Sequence, residues 1–312
     1  MDMRDRVITV FGGNGFIGRY TVRRLAKTGV RIRIACRDPR DAYYLRPQAA
    51  IGQIQAVACD IARPQQVARA LEGSWGAVNL VGILKGDFQR FHVDGAWNVA
   101  QAAAAGGVES VVHVSAIGAD ANSVSAYGRS KGEGERVVRE AFPRATILRP
   151  SIVFGPEDGF INRFARLIRT LPVAVPVIRG AAKFQPVYVG DVAAAIAEAA
   201  TEPQRHGGRT YELGGPETLS MLELNRYIAA ATGRNKPMLP VPDAVAGLMA
   251  RATGWLPGAP ITSDQFAMLQ RDNVANGPGL RELGITPTPL EAVADGWLVQ
   301  YRRLGRFAGR GR

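Results

Sequence analysis

The sequence predicts an α/β protein, a doubly wound parallel sheet with a smaller mixed C-terminal lobe, on three observations. The stretch Val7 to Gly29, VITVFGGNGFIGRYTVRRLAKTG, sets a short apolar run, a glycine turn and an amphipathic helix in immediate succession. Short apolar runs then alternate with helical segments through the first half of the chain, the pattern of repeated strand-helix-strand units. Beyond Gly155 that alternation loosens, and 312 residues with 46% hydrophobic content suffice for one large α/β domain and a smaller lobe.

Val7, Ile8, Val10 and Phe11 are β-branched or aromatic, too brief a run for a helix and too apolar for a surface strand, so they read as a central strand. Gly12, Gly15 and Gly18 follow in GxxGxxG spacing. One missing Cβ permits the tight turn, one lets backbone N–H groups approach a pyrophosphate, and one lets the helix pack on the strand. The helix from Phe16 points its positive end at the phosphates. The loop Gly12, Gly13, Asn14, Gly15, Phe16, Ile17 and Gly18 is therefore the candidate dinucleotide cradle of a Rossmann-type fold.

A second strand, Arg31 to Cys36, ends at Arg37, where the residue facing the adenosine ribose falls. An acid there would bind the 2′-hydroxyl, whereas a guanidinium suits the 2′-phosphate, so NADP(H) is expected ahead of NAD(H). The plain alternative is a surface arginine opening the turn RDPRD, and Arg19 is a second candidate. A third strand, Ile54 to Ala58, leads into Cys59-Asp60-Ile61. Asp60 could accept from the adenine amino group or cap the helix that starts near Pro64. Ala77 to Val81 reads as the fourth strand, with Gly82 allowing close approach to the middle of the cofactor. Phe91 to Gly107 reads as one long helix and Val111 to Ser115 as the fifth strand.

The segment YGRSK places Tyr127 and Lys131 four apart, on one face of a helix. A nearby ammonium stabilises tyrosinate and lowers the phenol pKa from about 10, giving a general acid or base beside a nicotinamide. Ser115, ending the fifth strand, could steady a carbonyl oxygen or be satisfied by backbone.

The net charge of +12 and pI near 10.3 call for an acidic partner. The basic excess is spread along the chain without a nucleic-acid motif, so an anionic membrane surface or an acidic protein fits better than nucleic acid. The tail Tyr301 to Arg312, YRRLGRFAGRGR, carries five arginines and no acid, which reads as a cationic arm or as a solvated end. No apolar run approaches the roughly 20 residues of a spanning helix, and MDMRDR shows no targeting signal, so a cytoplasmic protein is expected. Cys36 and Cys59 suggest structural thiols in a reducing compartment, and three scattered histidines give no metal-ligand spacing.

In the second half, a helix from Phe160 to Thr170 precedes a proline-rich connection at Leu171 to Ile178. A strand Pro186 to Val189 and a helix capped by Asp191 follow. The alanine-rich Val192 to Ala200 should pack back on the main sheet, while Leu219 to Gly233 and Asp243 to Gly254 belong to the smaller lobe. Met249, Trp255 and Trp297 read as core of that lobe. The expected division is 1–155 with 181–215 packing back on it, against 156–180 with 216–312.

The glycine loop, Asp60, HVDGAWNVAQAA, HVSA, Tyr127 with Lys131, LRPSIVFGP and QPVYVGDVA together resemble an extended or atypical short-chain dehydrogenase/reductase of the NAD-dependent epimerase/dehydratase kind. YLRPQAAIGQIQAV, the NLVG turn, GEGERVVREAFP, FGPEDGFINRFA and GLRELGITPTPLE further resemble the nucleotide-binding accessory subunits of respiratory complex I and their bacterial relatives, over nearly the whole chain. The resemblance implies that the glycine loop, Arg37, Asp60 and Ile61 hold NADP(H), that Asn79, Leu80, Val81 and Gly82 line its middle, and that the stretch from Pro150 to Val153 passes the nicotinamide. It further implies a structural or slowly reacting nucleotide, complex I subunits as partners, and a peripheral place on the inner face of the respiratory membrane. Catalytic members of the extended class usually carry Ser or Thr two residues beyond Ser115, where this chain has Ile117, and His92 stands where that class often has asparagine. The retained pair Tyr127 and Lys131 keeps open a free reductase or epimerase acting on a small-molecule substrate.

Overall fold

The computed structural model describes residues 3–253, 262–303 and 305. Seven parallel strands form the main sheet: β1 (Val7–Phe11), β2 (Arg31–Cys36), β3 (Ile54–Ala58), β4 (Gly76–Asn79), β5 (Ser110–Val114), β6 (Thr146–Pro150) and the edge strand Thr210–Leu213. Their spatial order is Thr210–Leu213, β6, β5, β4, β1, β2, β3. Phe11 at the end of β1 lies opposite Ala35 of β2 on one side and Asn79 of β4 on the other. The strand order reverses between β1 and β4, which opens a crevice at their C-terminal ends, the place where such sheets bind ligands.

Helices α1 (Phe16–Ala26), α2 (Pro64–Leu71), α3 (Gly95–Ala105) and α4 (Ala126–Ala141) complete the winding. α2, α3 and α4 pack side by side, and α1 packs along the helix Val189–Thr201. That last helix buries Ala193, Ala195, Ala197, Ala199 and Ala200, and such small side chains let it lie close to the sheet and to α1. The residues buried in β1, Ile8 to Phe11, confirm it as a central strand.

The chain divides into two compact units. One contains 1–150, 189–213 and 277–286, and the other contains 151–188, 214–276 and 287–312. The second unit holds short paired strands of both senses: Val153–Phe154 runs parallel to Val187–Tyr188, Val175–Ile178 parallel to Met238–Val241, and Lys183–Phe184 antiparallel to Leu219–Ser220. Its core gathers Phe154, Ile161, Ile168, Leu224, Ile228 and Leu298, with Trp297 packed against it. Trp297 is thus lobe core as expected. Trp255 lies outside the described residues, as do Leu304 and Arg306–Arg312 of the basic tail.

Several elements depart from the sequence expectation for local reasons. The fourth strand stops at Asn79 rather than Val81, because the Asn79 side chain takes the Val81 N–H at 3.0 Å and turns the chain. The helix expected over Phe91 to Gly107 is two elements, a π-helical turn Gln89–Asp94 followed by α3. The fifth strand is Ser110–Val114, one residue earlier than expected. The proline-rich connection contains a strand, Val175–Ile178, which pairs with a distant segment and so leaves no local signal. Asp191 lies inside the first turn of a helix that begins at Val189 and is not its cap.

Candidate functional site

The glycine turn leaves β1 with Gly12 at φ +75°, a left-handed conformation that a side chain would strain. The Gly12 N–H donates to the Ala35 carbonyl at 3.1 Å, and the Gly15 N–H to the Gly12 carbonyl at 3.0 Å. Gly15 is the N-cap of α1 and supplies no capping side chain. A Cβ there would meet only the Gly12 oxygen, at 3.3 Å, and would otherwise enter open space. A Cβ on Gly18 would instead overlap the backbone of Gly12 and Gly13. The three glycines thus do different work: turn, open cradle and close helix approach.

The second flank of the cradle is the crossover after β4. Leu80 donates its N–H to the Phe11 carbonyl at 3.0 Å, and a Cβ on Gly12 would lie 3.3 Å from Val81 Cγ2. Leu80 and Val81 therefore lie against the glycine turn, and Gly82 after them is exposed. The run Pro39–Gln48 supplies a contact the sequence did not announce: the Tyr44 hydroxyl donates to the Asn14 carbonyl at 3.0 Å, and Arg19 lies over the Tyr44 ring at 5.3 Å. Tyr44 stands beside Tyr43 in this 3-10 run, and its position in the motif YLRPQAAIGQIQAV does not say that it reaches the glycine turn.

Arg37 is exposed at the end of β2 and makes no hydrogen bond or ion pair among the described residues. Asp60 caps its own turn by accepting from Ala62 N at 3.0 Å, and it pairs with Arg90 at 3.0 Å. The N-cap of α2 is Arg63, so Asp60 does not cap that helix. Ile61 is buried beneath α3, where its carbonyl accepts from Asn98 at 3.0 Å and its side chain faces Gly95. Its side chain therefore packs behind the loop. Pro150 ends β6 in the first unit, and Val153 opens a short strand in the second.

α4 carries Tyr127 and Lys131 and is drawn inward through three glycines: a Cβ at Gly128, Gly132 or Gly134 would overlap Ser123 Oγ, the Ala121 nitrogen or the His92 carbonyl, respectively. Its far half is clamped by Glu135, which is fully buried and accepts two bonds of 2.7 Å from Arg149 on β6. Lys131 is buried and donates to the Val114 carbonyl at 2.8 Å. Burial pulls its ammonium pKa down to about 8, with Glu135 opposing. Packing around the Tyr127 hydroxyl pushes the phenol up to about 12 by desolvation, opposite to the direction expected from an adjacent ammonium. Next to Val114, the Ser115 hydroxyl is buried with no hydrogen-bond partner among the described residues. The backbone satisfaction weighed from the sequence is therefore absent.

Two histidines complete the surroundings. His113 on β5 is buried, with Nδ1 3.2 Å from Asn79 Nδ2. His92 lies in the π-helical turn, stacked on Phe88 at 5.3 Å and edge-on to Tyr127 at 5.6 Å. Burial, reinforced by Lys131, takes His92 down to about 3, and burial likewise holds His113 well below the usual imidazole range. Cys36 and Cys59 are buried with raised thiol pKa values, which suits structural thiols. No helix among the described residues is long and apolar enough to cross a membrane.

The family model for the NAD dependent epimerase/dehydratase family matches residues 8–214. The mouse protein NADH dehydrogenase [ubiquinone] 1 alpha subcomplex subunit 9, mitochondrial, is 36% identical over 304 residues, covering 95% of this chain and 80% of the relative. The NADH-ubiquinone oxidoreductase 40 kDa subunit, mitochondrial, of Neurospora crassa is 30% identical over 306 residues, with 94% and 79% covered. The crystal structure of an Escherichia coli NADPH-dependent quinone oxidoreductase complexed with NADPH superimposes with a TM-score of 0.76, covering 92% of this chain and 98% of that one. At 23% identity it shows the shared fold.

Proposed function

Since the chain belongs to the NAD dependent epimerase/dehydratase family and is related to the complex I subunits over almost its whole length, we propose that it is an NADP(H)-binding accessory subunit of a complex I-type assembly, with the nucleotide structural or slowly reacting. The observation that carries the binding half is the uncapped N-terminus of α1 at Gly15, whose missing side chain leaves an open cradle beside the Leu80–Gly82 crossover. Backbone N–H groups in that first turn suit a pyrophosphate. Arg37, exposed and without a partner among the described residues, is available for a 2′-phosphate, and the cation on Arg19 stands on the same side of the turn as Tyr44. When bound, NADP(H) would supply hydride transfer at its nicotinamide.

The slow half of the reading rests on α4. Lys131 is held on the Val114 carbonyl, and the Tyr127 phenol is pushed up to about 12, so the phenol holds its proton tightly at neutral pH. Ile117 supplies no hydroxyl at the relay position. The relatives' names support association with complex I, and the +12 net charge supports a peripheral place on the respiratory membrane.

One observation favours the second reading, a free NAD(P)-dependent reductase or epimerase using Tyr127 and Lys131: the unpartnered Ser115 hydroxyl could receive a substrate oxygen. Two measurements decide between them. Calorimetric titration of the full chain with NADPH and NADH should show binding, tighter for NADPH. Native electrophoresis of gently solubilised source membranes should show the protein migrating with complex I. No binding of either nucleotide would overturn the cofactor reading, and migration apart from complex I would transfer weight to the free enzyme.

A further inference from the structure

The hydrogen bonds around His92 fix the direction of a short chain of donors. The Ile83 backbone N–H, which can only donate, lies 2.9 Å from His92 Nε2. Nε2 is therefore the bare nitrogen of a neutral imidazole, and the ring proton sits on Nδ1. Nδ1 is 2.8 Å from Ser130 Oγ, so it donates there, and Ser130 Oγ in turn donates to the Tyr127 carbonyl at 2.8 Å. Every polar atom of the imidazole and the hydroxyl hydrogen is used. The ring is 1% exposed, clamped between Phe88 and Tyr127, and its own carbonyl abuts Gly134 of α4.

This chain joins two parts of the site that are 44 residues apart. At one end is Ile83, directly after the Leu80–Gly82 crossover that lies against the glycine turn. At the other is the first turn of α4, which carries Tyr127. We propose that His92 is a positioning residue: in its Nδ1–H form it sets the crossover against the Tyr127 turn, and so shapes the dinucleotide site without touching the nucleotide. The proposal rests on the NADP(H) reading for its effect on binding, but its geometric content stands apart from it. The π-helical turn has a reason in this scheme. From within that turn His92 meets both Ile83 and Ser130.

The test uses the full chain and three substitutions. His92→Phe keeps a flat ring between Phe88 and Tyr127 but removes both polar atoms. His92→Gln offers an amide oxygen to Ile83 and an amide N–H to Ser130. Ser130→Ala removes the middle of the chain. Nitrogen-15 spectra of histidine-labelled protein, with His92 assigned by its loss in His92→Gln, should show Nδ1 protonated and Nε2 bare at neutral pH. An Nε2-protonated ring or an imidazolium overturns the proposal. Amide exchange at Ile83 should accelerate about tenfold in His92→Phe, and NADPH should bind about tenfold more weakly, the scale of one net hydrogen bond. His92→Gln should restore both to within about threefold. Equal exchange and equal affinity in the wild type and His92→Phe overturn the proposal while leaving the cofactor reading intact. If the wild type binds no nucleotide, the cofactor reading falls, and the tautomer with the Ile83 exchange still decides the role of His92. Should His92→Phe fail to fold, Ser130→Ala takes its place: its exchange at Ile83 should rise, and an unchanged rate counts against the proposal.

Discussion

A Cβ on Gly18 would stand 2.6 Å from the Gly13 carbonyl carbon and overlap the Gly12 oxygen, so α1 packs directly on the turn that precedes it, whereas Gly15 one turn earlier faces open space. The two positions should separate stability from binding. Gly18→Ala forces backbone apart and should destabilise the fold by about 1–3 kcal/mol, the usual cost of overpacking. Gly15→Val should leave the melting temperature within a few degrees and abolish dinucleotide binding by placing methyl groups in the cradle. Thermal unfolding and calorimetry on both variants check this, and unchanged binding in Gly15→Val would remove the turn from the site.

Arg37 has no hydrogen bond or ion pair among the described residues to lose. Its replacement by alanine should therefore leave stability unchanged and weaken NADPH by about 10- to 150-fold, the worth of one charge-assisted bond of roughly 1.5–3 kcal/mol, while NADH binding barely changes. Equal loss for both nucleotides would assign Arg37 to the turn rather than to the 2′-phosphate.

Removing the Ser115 hydroxyl removes a buried polar atom that has no partner. Ser115→Ala should thus stabilise the nucleotide-free protein by about 1 kcal/mol in denaturant unfolding. A loss of stability instead would mean that a bound water already satisfies the hydroxyl.

Acid should weaken the fold through His92. Its folded pKa of about 3 lies below the ordinary 6.5, so between these values the unfolded chain binds a proton that the folded chain refuses. Stability is then full above pH 6.5 and is lost as pH falls towards 3, by at most about 1.4 kcal/mol per pH unit. Lys131 acts in the same sense in alkali: held at about 8 against 10.5, it makes stability rise as pH climbs through that interval. Denaturant unfolding of the wild type and His92→Gln from pH 4.5 to 7.5 tests the first window. The variant should show the shallower slope, and identical slopes would show that His92 is not the titrating group.

The basic arm needs cutting at the right residue. Tyr301 is buried and its hydroxyl donates to Asn162 Oδ1 at 2.9 Å, and Arg302 donates to the Ala231 carbonyl at 2.9 Å. A truncation after Leu298 would thus damage the second unit. Removing 304–312 takes away Arg306, Arg310 and Arg312 and spares those bonds. At about 1 kcal/mol per arginine near an anionic surface, the shortened protein should leave membranes at lower salt. Identical partition across a salt series would make the arm a bland tail.

Periodicity and glycine spacing in the sequence determined the parallel sheet, the turn at Gly12 to Gly18 and the helix bearing Tyr127 and Lys131, because each is written in residues a few positions apart, while the family resemblance was carried by whole motifs along the chain. A strand such as Val7–Phe11 declares itself by its own composition, and a helix face by its own repeat. Only the tertiary structure decided what depends on residues distant in sequence. Lys131 meets the Val114 carbonyl from 17 positions away, Tyr44 reaches Asn14 from 30, and His92 reaches Ser130 from 38. The same holds for Val175–Ile178, which became a strand only by finding Met238–Val241. The direction of the Tyr127 shift was misread for this reason. The four-residue spacing placed an ammonium on the same helix face, but the packing that desolvates the phenol is contributed by the whole fold, and desolvation sets the direction of the shift.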